Sequence, residues 1–227
     1  MMTARGWLLG LLLLPGLVAA AEPSRLDFEG DWQTGPTRPL VAEGLATLPG
    51  HSGQAVGLGP GSALAVPAPA SLQDGFDLRL WVRHERALSD YHYDELVYVY
   101  HETPDFKNRI SLMKRGGTDV LVFSMSDGTG RAKGAEFAGN WFALKSPALA
   151  WAAGTWHELR IIADRAAGRA ALVVDGQTVA SAQGTQFPQV VADRLWLGSL
   201  QGHSAMQGAL DEVTIAAPAG DLPPAAP

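Results

Sequence analysis

Tyr98, Tyr100, His101, Glu102 and Arg109 lie within twelve positions of one another in a chain of 227 residues. Together they offer a base, an acid and a cation. A polysaccharide lyase needs those parts, with Tyr or His moving a proton and a cation neutralising a uronate carboxylate. If the chain is an enzyme, Tyr100, His101 and Arg109 are the residues expected to act. A retaining glycosidase needs two carboxyl groups about 5 Å apart, and no strand supplies such a pair. A second set of residues is aromatic. Trp81 stands on the polar side of its segment with Arg79 and Arg83, Tyr91 and Tyr93 flank His92, and Trp141 falls in a glycine-containing stretch. Sugars lay their C–H faces on rings while polar neighbours take the hydroxyls, so Trp81, Tyr91, Tyr93 and Trp141 are the expected ligand contacts. Trp156 and Trp196 are expected to fill the structure instead. No Gly-Lys-Ser/Thr phosphate loop, His-Glu-x-x-His pair or Gly-x-Ser-x-Gly elbow occurs.

The elements that must position these residues read as strands. In Thr155–Ala180, His157, Leu159, Ile161 and Ala163 share one face, and Trp156, Glu158, Arg160 and Ile162 share the other. A period of two is that of a half-buried strand. Asp175-Gly176 is a hairpin turn into a further strand, because glycine accepts a positive φ. His157 has inward parity and reads as a core histidine, and Asp175 as a turn residue. In Gly75–Glu85, Phe76, Leu78, Leu80 and Val82 point inward. Further strands are expected at Arg25–Trp32, Ala46–Leu48, Gln54–Leu58, Ala63–Val66, Leu96–Glu102, Arg109–Arg115, Val120–Met125, Arg194–Ser199 and Gly208–Ile215. Residues 128–148 read as a long loop with one irregular strand. No window outside the N-terminus sustains a helical period, so helix content is expected to be very low. Many short strands between glycine-rich turns define an all-β, antiparallel jelly-roll β-sandwich.

The N-terminus has Arg5, an apolar run Trp7–Leu14, then Pro15-Gly16 and Ala19-Ala20-Ala21. This is the pattern of a cleaved signal peptide over residues 1–21, with an apolar core too short to span a bilayer. The expected product is exported, periplasmic or secreted, with no membrane span in the mature chain. Residues 22–216 read as one domain and the Pro/Ala-rich residues 217–227 as a disordered tail. The chain has no cysteine, which rules out disulfides, thiol catalysis and Cys-ligated zinc. A net charge of −6 without a basic cluster argues against nucleic acid.

Several motifs occur in a telling order: Phe28-Glu29-Gly30, Gly53–Val56, Phe76–Val82, Gly154–His157, Val174–Gly176, Leu195–Gly198 and Gly208–Val213. This succession resembles the laminin G-like branch of the concanavalin A-like lectin/glucanase superfamily. The resemblance implies a jelly roll that serves lectins, adhesion modules, lyases and hydrolases alike. It also implies a structural calcium where the two chain ends pair, drawing on Glu29, Asp211 and the backbone near Ser52. Calcium takes six to eight hard oxygens, and Asp27 and Glu212 stand beside those residues. The lyases of this fold carry a Gln-x-His strand, and the hydrolases a Glu-x-Asp-x-x-Glu strand. Neither is present, and Asp94, Glu95 and Glu102 do not match the second. The reading is therefore an exported, non-catalytic module that binds a glycan or a cell-surface partner. The alternatives are a polysaccharide lyase or glycoside hydrolase acting on the concave sheet face, and an envelope structural or assembly protein.

Overall fold

Alternation of apolar and polar side chains builds the longest strands and fixes their faces. In β6 (Gly75–His84), Phe76, Leu78, Leu80 and Val82 are fully buried, while Asp77, Arg79, Trp81 and Arg83 face the other way. It pairs antiparallel with β11 (Trp156–Asp164), which pairs in turn with β12 (Arg169–Val174). The turn from β12 into β13 (Gln177–Gln183) has φ of 48° at Asp175 and 77° at Gly176. Positive φ at both central residues twists the turn in the sense of the strands it joins.

The structure, a computed structural model, describes residues 24–30, 32–33, 38–91, 97–103, 108–115, 118–127, 141–184, 187–201, 206–218 and 222. Among these, the first sheet runs β13-β12-β11-β6-β15-β4-β3, with β15 at Gly208–Ala216, β4 at Gln54–Leu58 and β3 at Ala46–Pro49. The far edge of β15 is shared: β4 pairs with residues 208–210, and β1 (Ser24–Leu26) pairs with residues 213–215. The two ends of the chain therefore meet, as the resemblance implied. The second sheet runs β10-β9-β8-β7-β14-β5-β2. Its strands are β10 (Trp141–Lys145), β9 (Leu121–Ser126), β8 (Arg109–Lys114), β7 (Val97–His101), β14 (Arg194–Leu197), β5 (Ala63–Pro67) and β2 (Val41–Glu43). Inward side chains of both sheets form one large apolar cluster, in which Phe76 meets Phe123 edge-on at 6.2 Å. Two antiparallel sheets face to face are the expected sandwich. Among the described residues the only helical pieces are short 3-10 turns at Ala70–Gln73 and Leu88–Asp90. No helix there is long and apolar enough to cross a membrane.

Three details depart from the sequence reading. The opening strand ends at Leu26 rather than Trp32, because Phe28 takes a φ of 60° to bury its ring, with Trp32 edge-on at 5.1 Å. β2 is an added edge strand, and glycines and prolines conceal its short run. In the tail, Leu222 packs on Ile162, Ala171 and Val173, an apolar group on the outer face of the first sheet. The N-terminal segment 1–21 lies outside the described residues.

Candidate functional site

The outer face of the second sheet brings together side chains from five strands. Cross-strand register aligns Trp196 with Tyr100, Tyr100 with Ser111, Ser111 with Ser124 and Ser124 with Ala143. The next row aligns Arg109, Ser126 and Trp141. Small residues thus occupy the middle of the face, with rings at its sides, and Ser111, Ser124, Ser126 and Tyr100 are all buried. The Ser111 and Ser124 hydroxyls lie 2.7 Å apart.

Tyr100 donates its hydroxyl to Glu102 Oε2 at 2.5 Å, and Arg109 donates to Glu102 Oε1 at 3.4 Å. The Arg109 guanidinium lies 5.6 Å from the Tyr100 ring centroid and 5.4 Å from that of Trp141. It is held between two aromatic faces, an arrangement that suits its planar, weakly hydrated charge. Its Nε is buried and has no hydrogen-bond partner among the described residues. Among the described residues, two of the five non-glycine residues with positive φ border this cluster: Asn108 at 50° and Gln201 at 52°. Gln201 holds the Glu102 carbonyl through its side-chain amide at 2.5 Å. Strained backbone of this sort persists where its surroundings demand it.

His101 does not join them. It is aligned with Ile110, a core residue, so it faces the interior side of β7 while Tyr100 faces out. A register shift between Val97 and Val99 places Tyr98 inward as well. Tyr100, His101 and Arg109 therefore do not converge as an acid–base set. Burial lowers the pKa of His101 against the opposing pull of Asp193 and Glu102, and its Nε2 has no hydrogen-bond partner among the described residues.

The other expected ligand residues are placed differently. Trp81 does stand on the outer face of β6, half-buried, but the His51 ring stacks on it at 3.5 Å and 11°. Tyr91 is corrected outright: it is 2 % exposed, donates to the Gln207 carbonyl at 2.8 Å, and accepts from the Arg86 amide. A loop has no side-chain period, so sequence parity could not reveal this. Tyr93 and His92 lie outside the described residues. Trp141 opens β10 and is half-buried. Among the side chains gathered here, Ser111, Ser124 and Trp196 were not expected as contacts. Their signal was their parity with Tyr100 across the register.

Glu29, Ser52 and Asp211 do come together at the paired ends. Asp211 is fully buried where β15 is irregular, between Asp211 and Thr214, and the following Glu212 has a φ of 46°. Its Oδ2 accepts the amides of His51 at 2.8 Å and Ser52 at 3.1 Å, and its Oδ1 that of Glu212 at 2.8 Å. Glu29 Oε1 accepts the Gln54 amide at 2.6 Å. Amides thus engage these oxygens as arranged, and no group of three or more acid or histidine side chains that could hold a metal ion occurs among the described residues. Burial pushes the Asp211 carboxyl above its ordinary pKa, the three amides opposing and Glu212 assisting.

A polar group also lies inside one end of the sandwich. His84 Nε2 meets the Tyr98 hydroxyl at 3.0 Å, and burial with His157 nearby lowers the His84 pKa to about 3. His157 stacks on Trp151 at 4.2 Å and pairs with Asp175 at 2.8 Å. Asp175 also accepts the Glu158 amide, so it does more than form a turn. Burial opposes ionisation of its carboxyl, but these two partners outweigh it and hold the pKa below the ordinary value.

No protein-family model and no curated protein matches the chain. Solved structures share its fold. Domain 4 of AbnA, an extracellular GH43 arabinanase of Geobacillus stearothermophilus in complex with arabinotriose, aligns with a TM-score of 0.58 and 19 % identity over 78 % of this chain and 77 % of that one. The CBM40 of the Ruminococcus gnavus IT-sialidase, bound to α2,3-sialyllactose, gives 0.52 and 12 % over 71 % and 88 %. The binding domain of Paraclostridial Mosquitocidal Protein 1 gives 0.60 and 16 % over 82 % of this chain and 45 % of that one, so the chain spans less than half of it. At these identities the likeness is one of fold: an antiparallel β-sandwich shared with carbohydrate-binding domains and with the binding domains of toxins.

Proposed function

We propose that the chain is an exported, non-catalytic module that binds a glycan on the outer face of the second sheet. The observation that carries this reading is the cluster of Tyr100, Glu102, Arg109 and Trp141. It joins ring faces for sugar C–H groups to a donor and an acceptor for hydroxyls, beside a floor of small residues. The arabinotriose and sialyllactose complexes of proteins with the same architecture support it. The motif order through Gly208–Val213 supports a laminin G-like, concanavalin A-like assignment, and the leader pattern at residues 1–21 supports export. Separation of Tyr100 from His101 on opposite faces weighs against proton-transfer catalysis.

A panel of soluble and insoluble polysaccharides tests the reading, with retention and the release of unsaturated or reducing ends recorded together. Retention without products is the expected result. Product formation would replace the module with an enzyme. Failure to retain any glycan would favour a surface-protein partner or an assembly role.

A further inference from the structure

Among the described residues, the outer face of the first sheet carries five arginines, and four of them are paired with acids. Arg25 lies 3.9 Å from Asp27 and 3.8 Å from Glu212, Arg79 lies 3.1 Å from Glu158, and Arg169 lies 3.1 Å from Asp164. Arg160 holds Asp77 through two hydrogen bonds. Arg83 differs. It stands opposite Trp156 in the register, its guanidinium is 4.9 Å from that ring centroid, and no carboxylate pairs with it among the described residues. The side chain is half-buried, and its nitrogens are open to solvent. We infer that Arg83 on Trp156 is a second ligand site, distinct from the Tyr100–Trp141 cluster, and that it takes the carboxylate of an acidic saccharide.

A guanidinium lying on an indole keeps its N–H edges in its own plane, so a carboxylate can bind two of them without lifting it from the ring. The four paired arginines offer an incoming anion little net charge, because each has its acid beside it. Arg83 is where positive charge on this face is not cancelled. The nearest acid along the chain is Glu85, which is exposed and makes no ion pair with it. The surroundings favour a sugar over a peptide. The His51 ring is exposed, stacks on Trp81 and meets Trp156 edge-on at 6.4 Å. Arg79 is 47 % exposed beside Glu158, so that pair presents donors and an acceptor. Rings and polar groups suit the C–H faces and hydroxyls of a pyranose, where the apolar side chains of a peptide would need a recess. One exposed charge binds weakly, with a dissociation constant of about 1 mM, so the site is read with short oligomers in solution and does not by itself retain the protein in a gel.

The test titrates the 15N-labelled mature chain at constant ionic strength and follows the indole N–H of Trp156, assigned by its loss in Trp156→Phe. Galacturonate and glucuronate trimers are compared with their methyl esters and with triglutamate. The acid trimers should shift this signal saturably and bind about fivefold more tightly than the esters or triglutamate, the worth of one exposed ion pair. Arg83→Gln should remove that advantage. The charge-neutral double exchange Arg79→Gln with Glu158→Gln should preserve it, and dispersed spectra confirm that the variants are folded. Equal binding of acid and ester, a preference that survives Arg83→Gln, one that is lost in the double exchange, or no shift of the Trp156 signal overturns the inference. Triglutamate binding as tightly as the acid trimers puts a peptide carboxylate in the place of the saccharide and overturns it as well. The glycan reading of the second sheet is decided separately, by the polysaccharide panel and Trp141.

Discussion

Protonating His84 would put a charge inside the sandwich, where its ring is 2 % exposed and is paired with the Tyr98 hydroxyl. Its pKa is lowered to about 3 from 6.5, so as the pH falls the unfolded chain takes up the proton first. The contribution of this residue to stability is complete above pH 6.5 and is lost as the pH drops from there toward 3. At ~1.4 kcal/mol per unit, the loss reaches a few kcal/mol by about pH 4. Urea denaturation across that range should show the decline, and His84→Gln should flatten it. A wild-type profile that is flat between pH 7 and 4 would contradict the burial of a neutral imidazole. Asp211 permits a second test at this scale. Asp211→Ala strands three amides, two of them in the loop at residues 51–52, and should cost roughly 3 kcal/mol or more in denaturant unfolding. Asp211→Asn, which keeps one acceptor oxygen, should cost less.

At the scale of elements, alternation made most of the sandwich legible. Phe76 through Val82 and Leu159 through Ala163 point as their period requires, and Asp175-Gly176 makes the turn that its residues favour. The grouping of Tyr100 with His101 went against that same period, because neighbours on a strand face opposite sides. The extra residue between Val97 and Val99, which turns Tyr98 inward, leaves no mark in the sequence. The amide cage of Asp211 was legible only as the meeting of the two chain ends. Which partners its carboxylate takes depends on pairing between residues some 160 positions apart. Tyr91 shows the same limit for loops, where burial follows from the fold and not from any period. Close packing of strands gives another test. Gly208 lies where a methyl group would overlap the Arg83 carbonyl oxygen on the neighbouring strand. Gly208→Ala should therefore cost on the order of 1–3 kcal/mol, as overpacking does, and lower the midpoint of thermal unfolding. An unchanged midpoint would show that β6 and β15 can separate without cost.

For the molecule as a whole, two sheets divide the work. The first joins β1 to β15 and packs Leu222 on its outer face at Ile162, Ala171 and Val173. Because amides already occupy the Asp211 oxygens, the melting temperature should be the same with added calcium and with a chelator. A rise of several degrees with calcium would restore the metal to this locus. The second sheet gathers the aromatic and charged residues assigned to the glycan. The measurement that tests this assignment most directly compares Trp141→Ala with Trp81→Ala by affinity electrophoresis in a gel containing the polysaccharide that retains the wild type. Trp141→Ala should abolish most of the retardation, whereas Trp81→Ala, which lies on the other sheet, should leave it nearly intact. The reverse result, with retention lost in Trp81→Ala and kept in Trp141→Ala, would place the ligand on the first sheet and contradict the account.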